Sequence, residues 1–105
     1  MSDNKIGDQI IASYQRDENM MILIFAQWCV NHDRNPVEVY TSAYPGQGDN
    51  AALKQAVELT VPKEEAGPID NETVLTVLSL FGNDDLAFAV SQIIEEEALR
   101  KRQGR

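Results

Sequence analysis

The sequence contains one cysteine, Cys29, and one histidine, His32. An internal disulfide needs a second cysteine, so no disulfide framework holds this fold together. A zinc site takes three or four protein ligands, most often cysteine and histidine, and this chain is poor in both. We therefore expect a protein without a structural metal or a cofactor.

Long apolar segments are also lacking. The longest apolar run, residues 20–30, is well short of the roughly 20 residues that a membrane-spanning helix needs. The first residues do not show the charged-then-apolar order of a secretion signal. We expect a cytoplasmic protein that makes no contact with a membrane.

Basic residues are scarce, with 9 lysines and arginines against 17 acidic residues and a formal net charge of -8. Several of the basic side chains are crowded at the C-terminal end, at Arg100, Lys101, Arg102 and Arg105. The rest of the chain is therefore strongly acidic and would repel phosphate backbones, which argues against nucleic-acid binding. We expect a single helical domain over residues 1–99, followed by a basic, disordered tail over residues 100–105.

The remaining composition is that of an ordinary globular domain. Hydrophobic residues make up 43% of the 105 positions and charged residues 25%, which is enough apolar material for one core. Apolar residues recur at intervals of three and four, whereas the strict alternation of a half-buried strand does not occur. The sequence predicts an all-α fold, a compact single-domain bundle of five to six short helices.

The most apolar of these helices is predicted at about residues 18–31. Its run from 20 to 30 has one polar residue, Gln27, and is apolar on every side, so other helices or a partner must enclose it. Asp17 is predicted as its N-cap. A separate amphipathic helix is predicted before it, over about residues 3–14, with Ile6, Ile10, Ile11 and Tyr14 on one stripe.

Capping residues and prolines predict the other helix boundaries. Asn35 followed by Pro36 marks the start of a helix, which should end before Pro45. Asp49 or Asn50, Asp70 and Asn83 are predicted to cap the next three helices, and residues 61–69 form the longest loop. Gly82 is predicted to end the helix that Asp70 caps.

The last two helices are assigned buried faces from the spacing of their apolar residues. The face of the first comprises Val74, Leu75, Val77, Leu78 and Phe81. The face of the second, at about residues 84–100, comprises Leu86, either Phe88 or Ala89, Val90, Ile93 and Ile94. Its C-terminal end carries acidic and basic residues spaced four apart, which predicts the intrahelical pairs Glu96–Arg100 and Glu97–Lys101.

Cys29, His32 and Asp33 form the one group that suggests chemistry. On a helix, residues 29 and 32 point to a similar side, so a thiol- or metal-dependent enzyme is conceivable. The favoured interpretation makes Cys29 a small core residue and His32 a group at the C-terminal end of a helix. We expect no catalytic activity.

These observations favour a small acidic protein-interaction module, acting as an adaptor or regulator. The expected binding surface lies beside the helix that starts at Pro36 and the loop 61–69, because loops commonly carry function. It comprises Tyr40, Tyr44, Lys63, Glu64 and Glu65. For the two tyrosines a place in the core is the favoured alternative, because a small domain needs most of its aromatic side chains inside. The alternative is a structural homo-oligomer, with a homodimer formed through residues 20–30 or through the stripe of Ile6, Ile10 and Tyr14.

Overall fold

The computed structural model describes residues 2–103, with side chains described over residues 16–103. This part of the chain contains α-helices and no strand, so the predicted all-α fold is confirmed. The five helices are α1 (Ser2–Asn31), α2 (Pro36–Ala43), α3 (Ala51–Leu59), α4 (Asn71–Leu80) and α5 (Asp84–Gln103).

Helix α1 is continuous where the sequence predicts two helices. Asp17 lies within it and is exposed, so its assignment as an N-cap is wrong. Residues 15–19 contain no proline, and Gln15, Arg16 and Glu18 are good helix formers, so nothing in this segment interrupts the helix. The side chains of Ile6, Ile10, Ile11 and Tyr14, predicted to form a stripe, lie outside the described residues.

The predicted starts of α2 and α3 are confirmed. The Asn35 side chain accepts a hydrogen bond from the Val37 backbone amide at 2.9 Å, with Pro36 at the first helical position. Asn50 caps α3 in the same way, accepting from the Leu53 amide at 3.1 Å. Both side chains satisfy amides that have no partner within the helix.

The predicted caps of α4 and α5 use their side chains differently. Asp70 occupies the N-cap position of α4 but makes no capping hydrogen bond. Asn83 directly precedes α5, yet its side-chain oxygen accepts a hydrogen bond from the Tyr44 hydroxyl at 2.9 Å. Gly82 has a φ of 73°, the left-handed conformation expected of a glycine just past a helix end.

The core is built on the second half of α1. Helices α2, α3 and α4 each pack against α1, and α5 packs against α2 and α4. The buried apolar residues of α1 are Met21, Ile22, Phe25, Ala26, Trp28 and Cys29. Other helices therefore cover most of the apolar run, although Met20, at its start, is 58% exposed.

Two aromatic side chains from the predicted buried faces lie at the surface. Either Phe88 or Ala89 was predicted for the buried face of α5. Phe88 is 64% exposed, whereas Ala89 packs against the core. Phe81 is also exposed, because α4 ends at Leu80 and the turn at Gly82 leads the chain away. The buried residues of α5 are Leu86, Val90 and Ile93, as predicted.

Helix α5 continues to Gln103 rather than ending near Arg100. Arg100, Lys101 and Arg102 therefore have helical backbone, whereas a disordered tail is predicted there from the sequence. Lysine and arginine are good helix formers, and their charge is favourable near a helix C-terminus. Gly104 and Arg105 lie outside the described residues.

Replacing Asn35 by alanine is expected to destabilise the protein by about 1 kcal/mol, since the Val37 amide loses its capping oxygen. Asp70→Ala is the matched control, because it removes a side chain at an N-cap position that makes no capping hydrogen bond. The free energy of unfolding from urea titration measures both. Equal losses for the two variants would contradict the assigned role of the Asn35 side chain.

Candidate interaction surface

The loop between α3 and α4 is attached to α1 by Gln27, the one polar residue of the apolar run. The Gln27 amide nitrogen donates to the Val61 carbonyl at 2.9 Å, and the Val61 backbone amide donates to the Gln27 side-chain oxygen at 3.0 Å. This side chain thus pairs with both backbone groups of Val61, as a neighbouring strand would. Gln27 fixes the first residues of the loop against the central helix.

Further contacts fix the rest of the loop and the start of α4. Asn31 donates to the Gly67 carbonyl at 3.4 Å, and the Trp28 indole donates to the Asn71 side chain at 3.0 Å. Lys63 forms an ion pair with Asp33 at 2.7 Å, and the hydrogen bond and charge of Asp33 raise the pKa of the Lys63 amine. The loop is therefore held near its start, middle and end by the C-terminal part of α1 and the residues that follow it.

The anchored loop presents both apolar and acidic side chains to solvent. Leu59, at the end of α3, is 62% exposed and Val61 is 42% exposed. Glu64 and Glu65 are exposed as well, in a turn where the Glu65 amide donates to the Pro62 carbonyl at 2.9 Å. We call Leu59, Val61, Glu64 and Glu65 the loop surface.

The two tyrosines of the predicted binding surface make contacts elsewhere in the fold. Tyr40 is buried, packs near Phe25 and accepts a hydrogen bond from Asn50 at 3.2 Å. Tyr44 is half-buried beside Tyr40 and donates to Asn83, and burial followed by the charge of Asp85 raises the pKa of its hydroxyl. Both tyrosines join α2 to neighbouring elements, whereas Lys63, Glu64 and Glu65 belong to the loop.

Cys29, His32 and Asp33 are directed to three different surroundings. Cys29 is fully buried in the core, and Asp33 pairs with Lys63. His32 stacks on Trp28, and its Nδ1 lies 2.9 Å from the Glu97 carboxylate on α5. Over residues 16–103, no cluster of three or more histidine, cysteine or carboxylate side chains could hold a metal ion.

Two glutamates in the C-terminal half of α5 bind the connection between α1 and α2. Glu97 pairs with His32, and Glu96 pairs with Arg34 at 3.0 Å. The intrahelical pairs predicted for these two glutamates are therefore wrong, because tertiary partners come within reach of both carboxylates. Arg100 and Lys101 are left exposed.

Burial raises the pKa of the Cys29 thiol to about 12, so the thiol is protonated at neutral pH. The thiolate is the reactive form, and a buried thiol reacts only when the structure opens. We expect an aromatic disulfide reagent at pH 8 to label the native protein at least about 100-fold more slowly than the chain unfolded in urea. Native labelling at the unfolded rate would instead indicate a reactive thiol and favour the enzyme alternative.

None of the helices over the described residues is both long and apolar enough to cross a membrane. The fold and its surface define a class: a small all-α protein whose longest loop is held in place by a central helix. The family model called YxiS matches residues 2–95, and the chain belongs to this family.

A relative from Bacillus subtilis (strain 168), named "Uncharacterized protein YxiS", is similar to this chain. The two are 55% identical over 87 residues, which cover 82% of this chain and 91% of the relative. No solved structure matches the chain.

Proposed function

We propose that this protein is a small cytoplasmic protein-interaction module, an adaptor or regulator without catalytic activity, which binds its partner through the loop surface. The observation that carries this proposal is the anchoring of the loop. Gln27, Asn31 and Asp33 hold the loop, while Leu59, Val61, Glu64 and Glu65 remain exposed. A loop already held in one conformation loses less entropy on binding than a mobile loop.

The chemistry of the loop surface favours a partner segment that is both apolar and basic. Leu59 and Val61 offer apolar contacts, and the neighbouring carboxylates of Glu64 and Glu65 attract positive charge. The net charge of -8 adds a long-range attraction for a basic partner and raises the rate of encounter. Electrostatic attraction of this kind weakens as salt screens the charges.

Affinity capture with matched variants tests the proposal. Tagged wild-type protein is incubated with extract of the source cells, beside the surface variant Leu59→Ser/Glu64→Gln/Glu65→Gln. The control variant is Leu80→Ser/Glu72→Gln/Asp70→Asn, which makes the same kinds of change at exposed positions in and next to α4. Circular dichroism confirms that both variants are folded.

We expect a partner that the wild type and the control variant both retain, that the surface variant loses, and whose recovery falls as salt is raised. Equal capture by the surface variant would place binding elsewhere on the protein. Failure to capture any reproducible protein at low salt would contradict the interaction function itself.

A further inference from the structure

The outward face of α5 carries a row of exposed residues with heptad spacing that does not contact the core. Its members are spaced alternately three and four residues apart, and all are exposed: Asp85, Phe88, Gln92, Glu95, Leu99 and Arg102. The residues that α5 buries in the core, Leu86, Val90 and Ile93, lie on the opposite side of the helix. We call the six exposed residues the α5 stripe.

Two members of the α5 stripe are large apolar side chains, with Phe88 64% and Leu99 51% exposed. Residues spaced alternately three and four apart are those that meet when two helices pair along a shared seam, although the other four members of this stripe are polar or charged. Within the described residues α5 packs on α2 and α4 through its buried side, which leaves the stripe facing solvent.

The α5 stripe is complementary to itself when two copies of α5 are antiparallel. About a two-fold axis between residues 93 and 94, Asp85 lies opposite Arg102, Phe88 opposite Leu99, and Gln92 opposite Glu95. Each of these pairs occurs twice, as an isologous interface requires. They are an ion pair, an apolar contact, and an amide facing a carboxylate.

A parallel arrangement would place each residue opposite its own copy. Asp85, Glu95 and Arg102 would then each face a like charge, which is unfavourable. Antiparallel helices also bring the acidic N-terminal end of one α5 to the basic C-terminal end of the other. The opposite charges attract there, and the two helix dipoles, which run in opposite directions, attract as well. Charge complementarity therefore fits a second copy of α5 in the antiparallel direction and disfavours the parallel one.

We propose that this protein forms a two-fold homodimer in which the α5 stripes of two copies pack antiparallel. The stripe shares no residue with the loop surface, so this inference stands independently of the proposed partner binding. A single helix pair with two apolar side chains per copy belongs at the small end of interface sizes, below about 1,200 Å² in total. The dimer is therefore a weak, reversible one.

Analytical ultracentrifugation of the full chain over a concentration series tests the proposal. We expect the wild type to change from monomer to dimer between about 10 µM and 1 mM, the range of a small interface. Phe88→Ser should lower the association constant at least about tenfold, because it removes an apolar contact that occurs twice. The control is Leu80→Ser, which removes an exposed apolar side chain of α4 outside the stripe and should leave association unchanged.

Reversal of charges tests the antiparallel register. Asp85→Arg alone and Arg102→Glu alone should each weaken association, since each places two like-charge pairs in the interface. The double variant D85R/R102E restores opposite charges in both pairs and should recover association to within about threefold of wild type.

Three results would overturn the proposal. The first is a wild type that stays monomeric at about 1 mM, a concentration at which a weak interface is populated. The second is a dimer that Phe88→Ser leaves unchanged, and the third is a double charge variant that is no better than the single ones. All substituted positions are exposed, and thermal unfolding by circular dichroism confirms that each variant keeps its fold.

Discussion

Replacement of Trp28 by alanine is expected to lower the free energy of unfolding by about 3 to 5 kcal/mol. Trp28 is the largest fully buried side chain, and its loss leaves a cavity where α1 meets α4. The variant also loses the hydrogen bond to Asn71 and the stacking with His32. Since a domain of this size is stable by about 5 to 15 kcal/mol, the variant is left near the threshold of folding.

Urea unfolding followed by far-UV circular dichroism measures this effect, because Trp28 is the only tryptophan and its fluorescence is lost with it. Trp28→Phe keeps an aromatic ring in the core but removes the indole donor, and should cost less than the alanine variant. Leu80→Ala changes an exposed side chain and should cost under about 0.5 kcal/mol. A Trp28→Ala variant as stable as Leu80→Ala would contradict the position of Trp28 in the core.

The second large effect is expected from Gln27→Ala, which removes both hydrogen bonds to the Val61 backbone and one to Asn31. A net contribution of about 0.5 to 1.5 kcal/mol for each of the two hydrogen bonds to Val61 predicts that the attachment of the loop becomes less stable by about 1 to 3 kcal/mol. The core contacts of α1 stay in place. The loss should therefore be local to the loop.

Hydrogen exchange of the Val61 amide reports on this loss directly. We expect exchange about tenfold faster in Gln27→Ala than in wild type, with little change at core amides of α5. Gln55→Ala makes the same chemical change at an exposed position in α3 and should leave Val61 as protected as before. Similar exchange of Val61 in all three proteins would show that Gln27 does not hold the loop.

The Gln27 variant also separates loop order from loop chemistry in the proposed function. It leaves Leu59, Val61, Glu64 and Glu65 unaltered but weakens the attachment of the loop at its first residues. If an ordered loop contributes to binding, the captured partner should bind Gln27→Ala more weakly, with the largest change in the dissociation rate.

Local patterns in the sequence predicted a large part of this fold. The three- and four-residue spacing of apolar side chains identified helices, and Asn35, Pro36 and Asn50 marked where two of them begin. Each of these signals acts within about one helical turn, between residues close in the chain. The same local reasoning placed a break at Asp17, where a strong capping residue type occurs but nothing stops the helix.

Less of the candidate surface could be predicted. The loop and its exposed glutamates were identified from prolines, glycine and polarity, but the sequence left Tyr40 open between the core and a binding surface, and the structure buries it. Phe88 was offered for the core and is exposed. Helical spacing gives the side of a helix on which a residue lies, whereas the neighbouring helices decide which side is covered.

The role of Gln27 shows most clearly what the sequence alone did not contain. In the sequence it is one polar residue in an apolar helix, and its partner Val61 is 34 residues away. His32 and Glu97 are separated by 65 residues, so their contact could not be seen in the sequence. The only partner visible near Glu97 was Lys101, four residues away. By itself, the sequence determined the helical class, the ends of several helices and the acidic character of the surface, because these depend on near neighbours and composition. Only the tertiary structure decided which polar groups meet, since those contacts exist once packing of the helices has brought distant segments within hydrogen-bonding distance.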